Sequence, residues 1–214
     1  MENDIAAVVH PGLKGIYVPK AEDAGVLEEI ARLLDQLETA RETSGVLLAP
    51  VIETAAGLQA IFDLAAAPRV SHLAIGEGDL AADLGITASD DEREWLPIRI
   101  QVVIASAAAG IQPPSGPAFL DIANLEALRA STRRLHQLGF RARSAIHPAQ
   151  IPVINEVFTP SEAEVAAARR VVELYEDAIS RGSGVIADDQ GRMIDEPIAR
   201  AARRVLLRSE LASR

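Results

Sequence analysis

The sequence contains no cysteine, which excludes disulfides, a thiol nucleophile and thiolate metal ligation. Aromatic residues are scarce, at 3%, so a core has to be assembled from Ala, Val, Leu and Ile. Positive charge is also short: 21 Lys and Arg stand against 31 Asp and Glu, a net charge of −10. A protein that grips a nucleic-acid backbone needs a basic face. No nucleic-acid partner is therefore expected, although this balance leaves room for a local basic pocket. No apolar run reaches the length of a membrane span. The opening "MENDIAAVVHPGLKG" lacks the basic start and long apolar stretch of a signal peptide. No membrane association and a cytoplasmic location are the expectations. Neither Gly-x-Gly-x-x-Gly nor a Walker lysine loop follows any apolar run, which argues against a doubly wound nucleotide-binding fold.

What is present is a chain of 214 residues, 49% hydrophobic and 24% charged, enough for one sizeable core. "GIYVPK" (15–20) reads as a strand, and residues 21–42 follow with Val26, Ile30, Leu33, Leu34 and Leu37 at helical spacing. "GVLLAPVI" (45–52) is a continuous apolar run, as in a strand buried on both faces. An Ala-rich helix over 55–66 stops near Pro68, and "HLAI" (72–75) is a third strand. A helix over 91–109 has Trp95, Ile98, Val102 and Val103 as its inner stripe. "GIQPPSGPAF" carries a fourth strand, residues 124–138 form a helix, and "RARSAIHP" (141–148) is a fifth strand. A long helix over 161–181, a hairpin turning at Asp189-Gln190-Gly191 and a helix over 196–211 complete the chain.

Strand and helix alternate five times, which predicts a parallel sheet covered by helices. The fold class expected is α/β of the (βα)8 TIM-barrel type, here incomplete with five βα units. Residues 1–160 form the partial barrel and residues 161–214 a C-terminal helical and hairpin extension. A full barrel takes eight units and about 250 residues. Five parallel strands cannot close, so the "GIYVPK" edge is expected to be exposed, with Ile16 and Val18 left in water. Such a patch favours self-association.

Two of the strands run into an acid, Glu53 in "VLLAPVIET" and Asp79 in "LAIGEGDL". In (βα) barrels the chemistry gathers at the C-terminal strand ends, and adjacent strands lie about 4.8 Å apart. Two carboxylates there can share one Mg²⁺, with water and substrate oxygens filling the remaining positions. The competing reading is that each acid only caps the following helix, where an anion is favoured. Lys20 also ends a strand, as a solvated rim lysine or as a group for an anionic ligand. His147, at the end of the fifth strand, reads as a loop hydrogen-bonding residue or an acid/base. His10, His72 and His136 read as surface or loop residues. Ser115 and Ser144 have no convincing partners for nucleophilic catalysis.

Several segments together resemble the HpcH/HpaI aldolase and citrate lyase β-subunit family, nearest its citrate lyase β-like and malyl-CoA lyase branch. They are "PVIETAAGL", "AIGEGDLAADLGI", "QPPSGPAFLDIANLEAL", "SAIHPAQIPVINEVFTPSEAEVAAARRVV" and "GRMIDEPIARAARRVL". The resemblance implies a (βα)8 barrel with a C-terminal extension, in a homo-oligomer that is a trimer in relatives. It implies Mg²⁺ (or Mn²⁺)-dependent cleavage or formation of a carbon–carbon bond in an acyl-CoA thioester such as citryl-CoA or malyl-CoA, giving acetyl-CoA and a 2-oxo acid. By the same resemblance Glu53 and Asp79 are the metal ligands, with Glu53 and Lys20 facing substrate. Asp195 of "MID" is the catalytic aspartate, reached across a subunit boundary in some relatives. The family's "D-L-E-D" strand end and its substrate-binding "V-R-V-N" arginine have no counterpart in this chain, and Asn124 stands where an aspartate is more usual. Two other readings stay open: a class II pyruvate-type aldolase acting on free 2-oxo acids, and a catalytically impaired homologue.

Overall fold

A computed structural model describes residues 2–212, which form two compact units divided after Ile154. In the first unit the order is α1 (Glu2–Val8), β1 (Gly15–Val18), α2 (Ala24–Ala40), β2 (Leu47–Ile52), α3 (Ala55–Gln59), α4 (Ile61–Ala66), β3 (Ala74–Ile75), α5 (Glu77–Leu84), α6 (Leu96–Ala108), β4 (Ser115–Gly116), α7 (Leu125–Leu138) and β5 (Ala142–Arg143). Helix α8 (Gln150–Phe158) runs through the division.

The five strands pair in chain order, β1-β2-β3-β4-β5, and every pair is parallel. A doubly wound sheet reverses its strand order at a switch point. Consecutive order without reversal is the barrel-type winding. Leu48, Ile52, Leu73 and Ile75 turn to one face and are buried among Leu27, Ile30 and Leu34 of α2, Ile61 and Leu64 of α4 and Val102 of α6. That face is the core, and as the composition requires it is aliphatic.

The phase of β1 corrects an expectation. Ile16 and Val18 are half-buried against this core, and it is Tyr17 that stands 54% exposed beside Leu47 at 44%. Alternation along a strand puts residues 16 and 18 on the helix-covered side and residue 17 on the open one. His72 also departs from a plain surface residue. It is half-buried, its Nδ1 2.9 Å from Ser71 Oγ and its Nε2 3.3 Å from the Tyr17 hydroxyl, and burial pushes its pKa down.

Local signals explain where the elements start and stop. Asp23 caps α2 by accepting the Gly25 amide at 2.8 Å, and Asn124 caps α7 by accepting the Ala127 amide at 3.0 Å. Gly139 ends α7 at φ 116°, and a Cβ there would meet Val103 Cγ1 at 3.0 Å. The helix expected over 55–66 is two short helices joined at Ala60. The fifth strand is two residues long rather than eight, and α5 and α8 occupy stretches where no helix was expected.

The second unit consists of α9 (Glu162–Ser180), a two-stranded antiparallel hairpin of β6 (Ile186–Ala187) and β7 (Met193–Ile194), and α10 (Glu196–Ala212). A capping box opens α9: Ser161 Oγ accepts the Glu164 amide at 3.2 Å, and Glu164 accepts the Ser161 amide at 2.8 Å. Asp188 closes the hairpin by accepting the amides of Gln190 and Arg192, each at 2.9 Å. These bonds hold its carboxyl below the usual carboxylate range. Tyr175, Ile194 and Ala199 form the unit's own small core. Among the described residues no helix is long and apolar enough to cross a membrane.

Candidate metal and substrate site

Glu53 directly follows β2, and the next residue, Thr54, caps α3 by accepting the Gly57 amide at 3.0 Å. The Glu53 carboxylate turns toward β1, where Oε1 accepts the backbone amide of Lys20 at 2.8 Å. Lys20 holds that amide in place with φ at 47°, a left-handed conformation uncommon for a residue with a side chain. Its ammonium lies 3.7 Å from Asp79 Oδ1. Lys20 thus meets both carboxylates, one with its main chain and one with its side chain.

Asp79 is not at a strand end. Strand β3 stops at Ile75, and Asp79 is in the first turn of α5, exposed to solvent. The turn still delivers it to the side of the sheet where Glu53 emerges. Asp83, one helical turn on, accepts the Ala55 amide at 2.6 Å and ties α5 to the start of α3. Sequence reading missed this residue, although its spacing from Asp79 in "GDLAADLG" puts both on one helix face.

Burial organises the same helix from below. Arg99 of α6 is 1% exposed and donates to Glu77, the first residue of α5, at 2.6 and 2.8 Å. It also donates to Glu92 at 2.7 Å, and Arg134 of α7 reaches Glu92 at 3.3 Å. Burial by itself raises the Glu92 carboxyl, but hydrogen bonds from Arg134, Ser131 and Arg99 outweigh it and hold it at about 2. Burial pushes the Glu77 carboxyl up, against the pull of Arg99. Arg143 of β5 is buried beside this group, bonded to Pro117 O, Ser131 and Thr132 and stacked over Phe119, and burial pushes it down to about 10. None of Arg99, Glu92 or Arg143 was singled out from sequence.

The donor set suits a hard divalent cation. It offers carboxylate oxygens and no sulfur. Oε2 of Glu53 and both oxygens of Asp79 accept no hydrogen bond among the described residues, and a lysine ammonium already stands beside one of them. Gly76 leaves the space for Glu53, since an added Cβ would sit 2.6 Å from its Oε2 and 2.7 Å from its Cβ. No group of three or more His, Cys, Asp or Glu side chains is gathered for a metal among the described residues. The protein can supply two carboxylates, leaving the other positions to water and substrate. Gly76→Ala should therefore displace the Glu53 carboxylate and weaken Mn²⁺ binding by about tenfold or more. Gly78→Ala, with nothing within 4 Å, should leave it unchanged. Calorimetry with Mn²⁺ on both variants checks this, and equal affinities would show that Glu53 is not held by that contact.

Asp195 lies in the second unit, directly after β7, and its Oδ1 accepts the Ile198 amide at 3.2 Å in the first turn of α10. His147 is exposed and its Nδ1 accepts the Ala149 amide at 3.2 Å, a loop bond.

Comparisons with known proteins show the family and the fold. The HpcH/HpaI aldolase/citrate lyase family matches residues 1–148. The citrate lyase subunit beta of Leuconostoc mesenteroides subsp. cremoris is 33% identical over 208 residues, covering 96% of this chain and 68% of that protein. An L-malyl-CoA/beta-methylmalyl-CoA lyase of Cereibacter sphaeroides is 31% identical over 220 residues, covering 94% of this chain and 69% of its own length. The crystal structure of protein CitE from Mycobacterium tuberculosis, in complex with magnesium, acetoacetate and coenzyme A, superposes with a TM-score of 0.74 at 29% identity. That match covers 97% of this chain and 73% of the other. The chain belongs to the HpcH/HpaI aldolase/citrate lyase family.

Proposed function

We propose that the protein is a divalent-metal-dependent carbon–carbon lyase acting on a 3-hydroxyacyl-CoA thioester such as citryl-CoA or malyl-CoA. The observation that carries this reading is the convergence of Glu53 and Asp79 on Lys20, at the mouth of a consecutively wound parallel sheet. Relatives named as citrate lyase and malyl-CoA lyase, and a neighbour crystallised with magnesium and coenzyme A, support it.

Glu53 and Asp79 hold Mg²⁺ or Mn²⁺, which when bound supplies Lewis acidity for a 2-oxo acid. Lys20 offers a cation to the carboxylate of that acid. A base takes the hydroxyl proton of the thioester substrate. The bond from the hydroxyl-bearing carbon to the thioester α-carbon breaks, and the thioester enolate takes up a proton to become acetyl-CoA. Asp195 is the proton-transfer group, supplied to the site of a neighbouring copy in a homo-oligomer. The reading places the protein in the cytoplasm, where its acyl-CoA substrates are made.

The test is cleavage of malyl-CoA and citryl-CoA by the purified chain with Mg²⁺, followed as release of glyoxylate or oxaloacetate. Activity lost on chelation and restored by Mg²⁺ is expected. Mixing inactive Glu53→Gln and Asp195→Asn variants should recover part of the activity if the two residues serve one site from different copies. Turnover of free 2-oxo acid aldols alone, with no retention on immobilised CoA, would replace this reading with the class II aldolase. Metal binding with no turnover of either kind would leave a catalytically impaired homologue.

A further inference from the structure

The backbone of Lys20 is held in the left-handed region at φ 47°. A residue with a Cβ occupies that region at a cost, and such outliers gather where a site needs them. Here the conformation does two things at once. It aims the Lys20 amide at Glu53 Oε1, 2.8 Å away, and it sends the side chain over the Asp79 carboxylate, 3.7 Å from Oδ1. The ammonium makes no other ion pair among the described residues. Both ends of this pair are well exposed, at 64% and 60% of the side chain, so no burial forces them together.

We infer that the Lys20 ammonium is an intrinsic competitor for the divalent cation. It neutralises Asp79 before the metal arrives and must leave when the metal binds. This rests on the reading of Glu53 and Asp79 as the metal pair. A unit charge about 4 Å from a carboxylate in water-like surroundings changes cation affinity by about fivefold. The effect shrinks as salt screens the pair. Once displaced, the ammonium is free at the same mouth to take the carboxylate of an incoming 2-oxo acid, so metal should bind first.

Lys20→Met and Lys20→Gly both remove the charge, and glycine adopts the left-handed backbone without penalty. Lys20→Arg keeps the charge. With Mn²⁺ alone, followed by the loss of its free-ion electron paramagnetic resonance signal, both neutral variants should bind about fivefold more tightly than wild type at low salt. That advantage should shrink to less than about twofold near 1 M salt, where the screening length is about 3 Å. Lys20→Arg should stay within about twofold of wild type. Unchanged or weaker Mn²⁺ binding in both neutral variants overturns the inference, as does a gain that salt does not erode. Asp79→Asn separates this from failure of the metal site itself. If that variant loses Mn²⁺ while the Lys20 variants behave as wild type, only the competition is wrong. If Asp79→Asn binds as wild type does, the metal pair falls and the inference with it.

Discussion

Arg99→Met should destabilise the protein by about 3–5 kcal/mol at neutral pH, the cost of stranding buried charge when one partner of a buried pair is removed. Arg99 is 1% exposed, and its partners Glu77 and Glu92 are only 13% and 15% exposed at the side chain. Methionine fills much of the volume but neutralises neither carboxylate. Arg134 remains on Glu92 at 3.3 Å, so Glu77 is the group that loses its hydrogen-bonded cation and keeps only the more distant charge of Arg143. The pH dependence follows from the same contacts. In the wild type Glu92 is held at about 2, below its ordinary 4.5. Its contribution is therefore complete above about pH 4.5 and is lost as pH falls toward 2. Without Arg99 both folded-state carboxyls rise, Glu77 further above its ordinary value than burial already sets it. A raised carboxyl costs stability at neutral pH and regains it on protonation. The gap between variant and wild type should accordingly narrow from pH 7 to pH 4. Urea unfolding at the two pH values measures this. A gap under about 1 kcal/mol, or one that widens in acid, would contradict the account. Replacing Arg99 and Glu77 together with apolar residues, which leaves Glu92 with Arg134, should recover most of the loss. The network's remaining value is positional, since Glu77 and Asp79 share the first turn of α5.

The longer elements were legible because their signals are local. Strand β2 is a six-residue apolar run ending at an acid, and α2 has an Asp cap and a full apolar stripe. Strands β4 and β5 are two residues each, Ser115–Gly116 and Ala142–Arg143, and neither pair has strand character. The alternation with helices places a strand in "GIQPPSGPAF" and another in "RARSAIHP", but only pairing with the neighbouring strand fixes their two-residue bounds. Helix α5 escaped notice because its eight residues bury only Leu80. This is why the sequence reads Asp79 as a strand end when it stands in the first turn of a helix. Arg99 is the hardest case. It lies in the stripe formed by Trp95, Ile98 and Val102, where a charged residue ordinarily marks the solvent side. Its partner Glu77 is 22 positions away, and nothing in the intervening sequence announces the pair. Glu53 and Lys20 stand out in the sequence because each follows a recognisable strand, whereas Asp195 is marked only by the family resemblance of "GRMIDEPIARAARRVL". What brings Lys20 to both acids is a φ of 47°, which no sequence pattern encodes for a lysine.

Asp79→Asn should lower Mn²⁺ affinity by about 100-fold or more while leaving the fold intact, and CoA-thioester cleavage should fall with it. The substitution keeps the shape of the side chain and removes one of two carboxylates. Mg²⁺ and Mn²⁺ are held at about 2.1 Å by one or two carboxylates with water and substrate. Losing one charge from so small a set removes much of the binding. Glu53 keeps the Lys20 amide at 2.8 Å and so stays in place without Asp79. The competing role for Asp79 is helix capping alone. It stands in the first turn of α5, where a carboxylate favours the helix dipole by about 0.3–1 kcal/mol. The two roles differ in size and in observable. Capping predicts a small loss of stability and no change in Mn²⁺ affinity. Metal ligation predicts a large loss of Mn²⁺ affinity with stability changed by less than about 1 kcal/mol. Asp83→Asn supplies the comparison within the same helix. Its carboxylate is taken up by the Ala55 amide at 2.6 Å, so that variant should lose stability and far less metal affinity. Calorimetry with Mn²⁺ and thermal unfolding on the two variants decide the matter. If Asp79→Asn and Asp83→Asn weaken Mn²⁺ equally, the cation is held by the general acidity of α5, and the pairing of Glu53 with Asp79 has to be given up.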